Sequence, residues 1–272
     1  MDAIRIGING FGRIGRCVLK QMLDANGFRI VGVNDLADIS DLAYLLKYDS
    51  VHGWYRRKVE QDGRHFGIDG QEIPFFSQAD PREIPWDKVG AEIVIEGTGA
   101  FRAREQASRH LQAGARKVLI SAPSADADGM FVYGVNSDGY DADRHHVVSN
   151  ASCTTNCLAP VAKVLLESFG VDHIMITTVH AYTASQALMD TPMRKRRRGR
   201  SAALSIVPTT TGAAKATARV LPQLEGRIDG IAVRVPVTDG SLTDIVALLE
   251  KDTSATEIND VLLKAAESGP LR

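Results

Sequence analysis

Two side chains in this sequence have the types needed for covalent chemistry at a carbonyl carbon. One is the thiol of Cys153, in the run Ser149-Asn150-Ala151-Ser152-Cys153-Thr154-Thr155-Asn156-Cys157. The other is the imidazole of His180, which closes the run Ile174-Met175-Ile176-Thr177-Thr178-Val179. A thiolate, not a thiol, is the competent nucleophile, and an adjacent base activates it. Cys153 falls where a strand gives way to a helix, and the free N–H groups and dipole of a helix start favour the ionised thiol. The competing reading of Cys153 is an inert packing thiol. A lone histidine at a strand end is commonly structural, and spacing alone does not carry His180 to Cys153. Cys157 reads as a small, buried, apolar side chain. His52, His65, His110 and His173 read as surface or packing residues, and His145-His146 lies in a polar loop.

A second constellation is Gly10-Phe11-Gly12-Arg13-Ile14-Gly15, which follows a strand pattern and opens a helix pattern. Gly10 permits a tight turn, Gly12 lets the backbone approach a pyrophosphate, and Gly15 lets the helix pack closely on the strand. The helix N-terminus then faces the phosphates. Asp35 ends the second strand pattern about twenty positions further on, where a carboxylate accepts hydrogen bonds from the ribose hydroxyls. It would repel the extra phosphate of NADP, so the pattern favours NAD.

The elements that must hold these groups can be read from periodicity. Strand patterns at Ile4–Ile8, Arg29–Asn34, Ala91–Glu96 and Lys117–Ser121 alternate with helix patterns at Arg13–Leu23, Asp41–Lys47 and Ala103–Ala113. That alternation argues a parallel sheet with helices on its faces. The stretch from Val51 to Trp86, rich in glycine, reads as small antiparallel strands and turns inserted between the parallel units. Beyond Asn150 the pattern changes: a helix over Cys153–Phe169 with Pro160 inside it, long strands at His173–Ala181, Ile228–Pro236 and Ser241–Leu249, and a helix from Ser254 to Ser268. Long strands with few helices between them suggest a mixed or antiparallel sheet. The expected fold class is α/β: a doubly wound, mostly parallel dinucleotide-binding domain over 1–151, then an α+β catalytic domain over 152–272.

Composition narrows the function. Of 272 residues, 44% are hydrophobic and 24% charged, proportions of a chain that builds a real core. The net charge of −1 lacks the basic excess of a nucleic-acid binder. The longest apolar runs are strand-sized, so no membrane span is expected, and the opening segment has no signal-peptide run. Three cysteines make no disulfide framework and no zinc pattern occurs, so no metal and a reducing, cytoplasmic setting are expected. For most of its arginines the basic run Arg194–Arg200 reads as a solvated loop.

The motifs together resemble glyceraldehyde-3-phosphate dehydrogenases. Those that carry the resemblance are I-N-G-F-G-R-I-G-R at 8–16, L-L-K-Y-D-S-V-H-G at 45–53, A-S-C-T-T-N-C at 151–157, H-A-Y-T at 180–183, P-T-T-T-G-A-A-K at 208–215 and R-V-P at 234–236. The resemblance runs in order over the whole chain. It implies a two-step oxidation: Cys153 adds to the aldehyde, His180 lowers the thiol pKa and removes the hydroxyl proton, and inorganic phosphate releases the resulting thioester as an acyl phosphate. It implies that Ser152, Thr154, Thr211 and Gly212 hold the attacking phosphate, and that Thr183, Arg198 and Arg234 hold the substrate's own. For NAD it implies Asn9, Gly10, Arg13, Ile14, Asp35, Thr98 and Ser121, with Gly12 from the loop motif and Ala79 through its backbone alone. A homotetramer is implied too.

The chain departs from the family pattern at several places. Ser185 stands where an aspartate is common, and Thr191 replaces a frequent leucine near the ribose, which loosens the preference for NAD over NADP. The resemblance also implies further strands and a final helix beyond Arg272, so the catalytic domain is expected to be incomplete at its C-terminal end. Three readings compete with the main one. They are an erythrose-4-phosphate dehydrogenase, a truncated and inactive NAD-binding module, and a cysteine hydrolase, the last opposed by the dinucleotide motif.

Overall fold

The computed structural model describes residues 3–269 and residue 271. Met1 and Asp2 of the opening segment, and Pro270 and Arg272 of the closing run, lie outside the described residues. The chain divides into two compact units, residues 3–130 with 140–150 and residues 131–139 with 151–271.

The first unit is built on β1 (Ile4–Asn9), α1 (Arg13–Asp24), β2 (Phe28–Asn34) and α2 (Ile39–Lys47). A short hairpin, β3 (Tyr48–Asp49) with β4 (Gly53–Trp54), follows, and then β5 (Val59–Gln61), β6 (His65–Ile68) and β7 (Gln71–Phe76). After the short α3 (Trp86–Val89) come β8 (Ile93–Glu96), α4 (Arg104–Ala107), α5 (Arg109–Gln112), β9 (Lys117–Ile120), β10 (Gly129–Met130) and β11 (Val147–Ser149). One nine-stranded sheet runs in the order β10-β11-β9-β8-β1-β2-β7-β6-β5. From β10 to β7 all neighbours are parallel, and the last two pairings, β7 with β6 and β6 with β5, are antiparallel, so β6 alone is reversed. The inserted region is therefore part of the main sheet, because β7 joins β2 in parallel. The strands are buried on both faces: Ile6, Ile8, Ile30 and Val33 pack with Phe11 and Leu19, while Val94 packs with Trp86 and Val31.

The helix expected over Ala103–Ala113 is two four-residue turns, α4 and α5, divided at Ser108. The Ser108 hydroxyl donates to the Glu105 carbonyl at 2.8 Å, the local competition with the helix ladder that serine offers.

The second unit holds α6 (Cys153–Phe169), β12 (Val171–Ala181), β13 (Val207–Thr210), α7 (Ala213–Val220), β14 (Ile228–Val235), β15 (Ser241–Leu249) and α8 (Ala255–Ser268). Its sheet has the order β13-β14-β12-β15 and is mixed: β12 runs parallel to β14 and antiparallel to β15. Ile174, Ile176 and Thr178 of β12 lie on the buried face, where α6 and α7 pack on the sheet. Period two turns Met175 of the same strand outward, beside the exposed Ile231, Leu242, Val246 and Leu248 of its neighbours. Helix α6 runs unbroken through Pro160, and Ser254 with Glu257 forms a capping box on α8.

Candidate active site

In the first unit the strand order reverses at β1, which has β2 on one side and β8 on the other. Loops leaving the carboxyl ends of strands at such a point diverge and open a crevice. A cavity of about 330 Å³ lies there, lined by Asn9, Gly10 and Gly12 after β1, Asn34, Asp35 and Leu36 after β2, Gln78 and Ala79 after β7, and Gly97 and Thr98 after β8.

Two glycines of the loop are required by geometry. Gly10 has φ 90°, and a side chain on it would stand 2.6 Å from the Thr98 nitrogen. A Cβ on Gly15 would stand 2.1 Å from the Gly10 carbonyl oxygen. Gly12 has open space and no side chain to cap α1, so no capping oxygen takes up the first-turn N–H groups. Asp35 accepts from the Phe11 N–H at 2.6 Å and the Ala37 N–H at 2.9 Å. Each of its oxygens keeps a lone pair for a hydroxyl. These features suit a dinucleotide.

Of the expected cofactor residues, Asn9, Gly10, Gly12, Asp35, Ala79 and Thr98 line this cavity. Arg13 and Ile14 are exposed in the first turn of α1. Ser121 directs both its N–H and its hydroxyl to the Glu96 carbonyl, each at 3.0 Å.

In the second unit Cys153 is the first residue of α6. The Ser152 hydroxyl caps the helix by accepting from the Thr155 N–H at 3.2 Å, and Ala151 before it is held at φ 57°. That left-handed conformation is strained for an alanine, and such strain concentrates at functional turns. The Cys153 Sγ lies 3.4 Å from His180 Nε2. His180 Nδ1 lies 2.7 Å from the Ala181 carbonyl oxygen and 3.1 Å from Arg234 Nη1, so the ring is held from behind while Nε2 faces the thiol.

The parallel register of β12 with β14 places Arg234 directly beside His180. Its Nη1 donates to the Ala181 carbonyl at 2.7 Å and to the Thr183 hydroxyl at 3.5 Å. Thr183 and Ser185 hydroxyls lie 2.9 Å apart, and Arg198 donates to Ser185 at 3.2 Å and to Thr209 at 3.1 Å. One connected cluster therefore holds Cys153, His180, Arg234, Thr183, Ser185 and Arg198. Thr211 uses its hydroxyl at the start of α7, accepting from the Ala213 N–H at 3.1 Å, with Gly212 as the N-terminal flank of that helix. Thr154 is buried.

The charges are consistent with this wiring. The hydrogen bond between Cys153 and His180 lowers the Cys153 pKa more than burial raises it, with the His180 charge and Thr154 adding to the lowering. The same bond raises the His180 pKa against burial and the repulsion of Arg234. Burial pushes Arg234 down, as does Arg198. The Arg234 Nε has no hydrogen-bond partner among the described residues. Two guanidiniums converging without a bridging carboxylate make a place for a dianion.

One expectation needs adjustment. Cys157 is exposed, because four residues along a helix returns to the face that carries Cys153. In the basic run, Arg194, Lys195, Arg196, Arg197 and Arg200 are exposed, as a solvated loop requires, and Arg198 alone turns inward. Sequence reasoning missed Thr209, the strained Ala151, and a buried network around Glu96 and His110. Thr209 lies within the 208–215 motif and had a local signal. The network had none. No helix among the described residues is long and apolar enough to cross a membrane, and no group of metal-ligating side chains occurs among them.

Comparison with known proteins bears on both units. Residues 4–104 match the glyceraldehyde 3-phosphate dehydrogenase NAD binding domain, and residues 152–271 match the C-terminal domain of the same enzyme. The chain is 52% identical over 270 residues to the glyceraldehyde-3-phosphate dehydrogenase of Geobacillus stearothermophilus, covering 99% of this chain and 80% of that one. It is equally similar, with the same coverage, to the enzyme of Streptomyces coelicolor. A cytosolic glyceraldehyde-3-phosphate dehydrogenase of Scenedesmus vacuolatus is 49% identical, covering 97% of this chain and 85% of that one.

Proposed function

Because the chain belongs to the glyceraldehyde-3-phosphate dehydrogenase family of NAD-dependent oxidoreductases, we propose that it oxidises glyceraldehyde 3-phosphate to 1,3-bisphosphoglycerate, with Cys153 as nucleophile and His180 as base. The observation that carries the assignment is the 3.4 Å approach of His180 Nε2 to the Cys153 sulfur, with the opposite ring nitrogen anchored on Ala181.

His180 takes the Cys153 thiol proton, the thiolate adds to the aldehyde carbon as the carbonyl π bond breaks, and the same proton passes from His180 to the oxygen to give a hydroxyl. His180 takes the hydroxyl proton as the carbonyl reforms, which leaves a thioester on Cys153. NAD, when bound, supplies the two-electron acceptor for this oxidation. Inorganic phosphate then attacks the thioester carbon, the C–S bond breaks, and the thiolate is regenerated. Arg234, Arg198 and Thr183 hold the substrate phosphate, and Ser152, Thr154, Thr211 and Gly212 hold the attacking one. Asn9, Gly10, Gly12, Arg13, Ile14, Asp35, Ala79, Thr98 and Ser121 hold the cofactor.

The domain division follows the same reading: a dinucleotide-binding domain over 1–151 and a catalytic domain over 152–272. Self-association as a homotetramer is supported by the exposed apolar row of Met175, Ile231, Leu242, Val246 and Leu248, since monomers rarely expose large apolar patches. A reducing, cytoplasmic location is supported by three unpaired cysteines. The reaction places the chain in glycolysis.

The test follows NAD reduction with glyceraldehyde 3-phosphate and phosphate, comparing the 272-residue chain with Cys153→Ser. Turnover in the first and a loss on the order of a thousandfold or more in the second is expected for removal of a covalent nucleophile. Equal rates in both would overturn the assignment.

A further inference from the structure

At the centre of the first unit is a carboxylate that plays no part in the chemistry above. Glu96 closes β8 and is 1% exposed. Its Oε1 accepts from the Thr98 N–H at 2.9 Å and from the Thr98 hydroxyl. Its Oε2 accepts from Asn9 Nδ2 at 2.6 Å and lies 3.1 Å from Nε2 of the fully buried His110. The Trp86 indole N–H donates to His110 Nδ1 at 3.0 Å. An indole only donates, so Nδ1 must be the acceptor and Nε2 carries the hydrogen that points at Glu96. His110 is held in one tautomer by a residue outside the pocket lining.

The amides are oriented by the same logic. Asn34 Nδ2 donates to Asn9 Oδ1 at 2.8 Å and to the Gln78 carbonyl at 3.0 Å, and Asn34 Oδ1 accepts from the Gln78 N–H at 2.8 Å. Hydrogen bonds therefore run in one direction along three chains: Trp86 to His110 to Glu96, Asn34 to Asn9 to Glu96, and Thr98 to Glu96. All end on one acceptor-only group. Asn9, Asn34, Gln78 and Thr98 line the cavity, whereas Glu96, His110 and Trp86 stand behind it. The far end is immobile, because the indole lies on β1 and β2 where both strands lack a side chain. A Cβ on Gly7 would meet the ring at 2.7 Å, and one on Gly32 at 3.3 Å.

We propose that Glu96, oriented by His110 and Trp86, is the positioning residue of the NAD pocket. It serves as the common acceptor that fixes which way Asn9, Asn34 and Thr98 present their donors and acceptors to the cofactor. Chains of hydrogen bonds in a buried site polarise one another, and a pocket wall fixed from behind needs no reordering when a ligand arrives. The inference rests on reading this cavity as the dinucleotide site.

The decisive variant is Glu96→Gln, which keeps shape and volume but turns one acceptor oxygen into a donor facing donors. Calorimetric titration of NAD should show Kd raised about tenfold or more, with KM for NAD rising in parallel. KM for the aldehyde, kcat at saturating NAD and the rate of Cys153 alkylation should stay within twofold. A folded Glu96→Gln protein that binds NAD within twofold of the parent overturns the proposal. A parent chain that does not bind NAD instead overturns the dinucleotide reading itself. One measurement needs no variant: nitrogen NMR of labelled histidine in the parent chain should show His110 as the Nε2–H tautomer. A hydrogen on Nδ1 overturns the proposal, whatever the folding of Glu96→Gln.

Discussion

On the reading proposed above, the two units recognise anions by opposite means. In the first, recognition is built from backbone and neutral amides: bare glycines, the open start of α1, and a carboxylate whose acceptors are filled from within. In the second it is built from charge: two guanidiniums, a thiol and an imidazole, with donors such as the Arg234 Nε lacking a partner among the described residues. The difference follows from the work each site does. A cofactor is bound and released intact, so a rigid and fully satisfied wall suffices. Covalent chemistry needs groups that gain and lose charge, and those stay ready only if the protein leaves them partly unanswered.

The contrast can be broken most severely at Gly15. Gly15→Ala would drive a methyl into the Gly10 carbonyl, and NAD affinity should fall about a hundredfold, equivalent to roughly 2.8 kcal/mol. The rate of Cys153 alkylation should be unchanged. Loss of both together would show that the sites are not separately built.

His180→Asn should have the converse signature. Turnover should fall by about 10² to 10⁴, the span of general acid–base catalysis, while NAD titrates normally. The pH dependence gives the sign. The Cys153 pKa is lowered chiefly by His180, so thiolate persists to lower pH in the parent than in the variant. Alkylation in the variant should need a higher pH, and its midpoint should move up toward that of an ordinary thiol. An unmoved midpoint would remove His180 from the activation of Cys153.

Arg234→Leu should raise KM for the phosphorylated aldehyde about tenfold to a hundredfold, as loss of charge-assisted hydrogen bonds costs about 1.5–3 kcal/mol. The exposed Arg197→Leu should change it less than twofold. Equal effects would mean that the basic run acts as a diffuse field instead of through the inward-turned Arg198 and its neighbour Arg234.

Legibility in the sequence followed range. The Gly10–Gly15 loop, the start of α6 at Cys153 and the limits of β15 are set by residues close together in the chain, and all were readable there. What brings His180 to Arg234 is a pairing of strands 54 residues apart, and no local pattern encodes it. His110 and Glu96 read individually as an ordinary histidine and a strand-end acid. Burial alone made them a pair, since an unsatisfied polar group inside a core is too costly to persist. Cys157 was misjudged for the opposite reason: its exposure follows from helix geometry, which composition arguments about cysteine overlook.

Strand β12 carries His180 on the side of Ile174, Ile176 and Thr178, and Met175 and Val179 on the other. The consequence is evolutionary. Two selective pressures act on one stretch of eleven residues, yet alternate positions answer to only one of them. From His173 to Val179 substitutions at odd positions meet the outer face, while Ile174, Ile176 and Thr178 are held by the core and His180 by the site. A single-residue insertion before His180 would exchange the two alphabets at once, so this segment can drift by replacement but not by change of length.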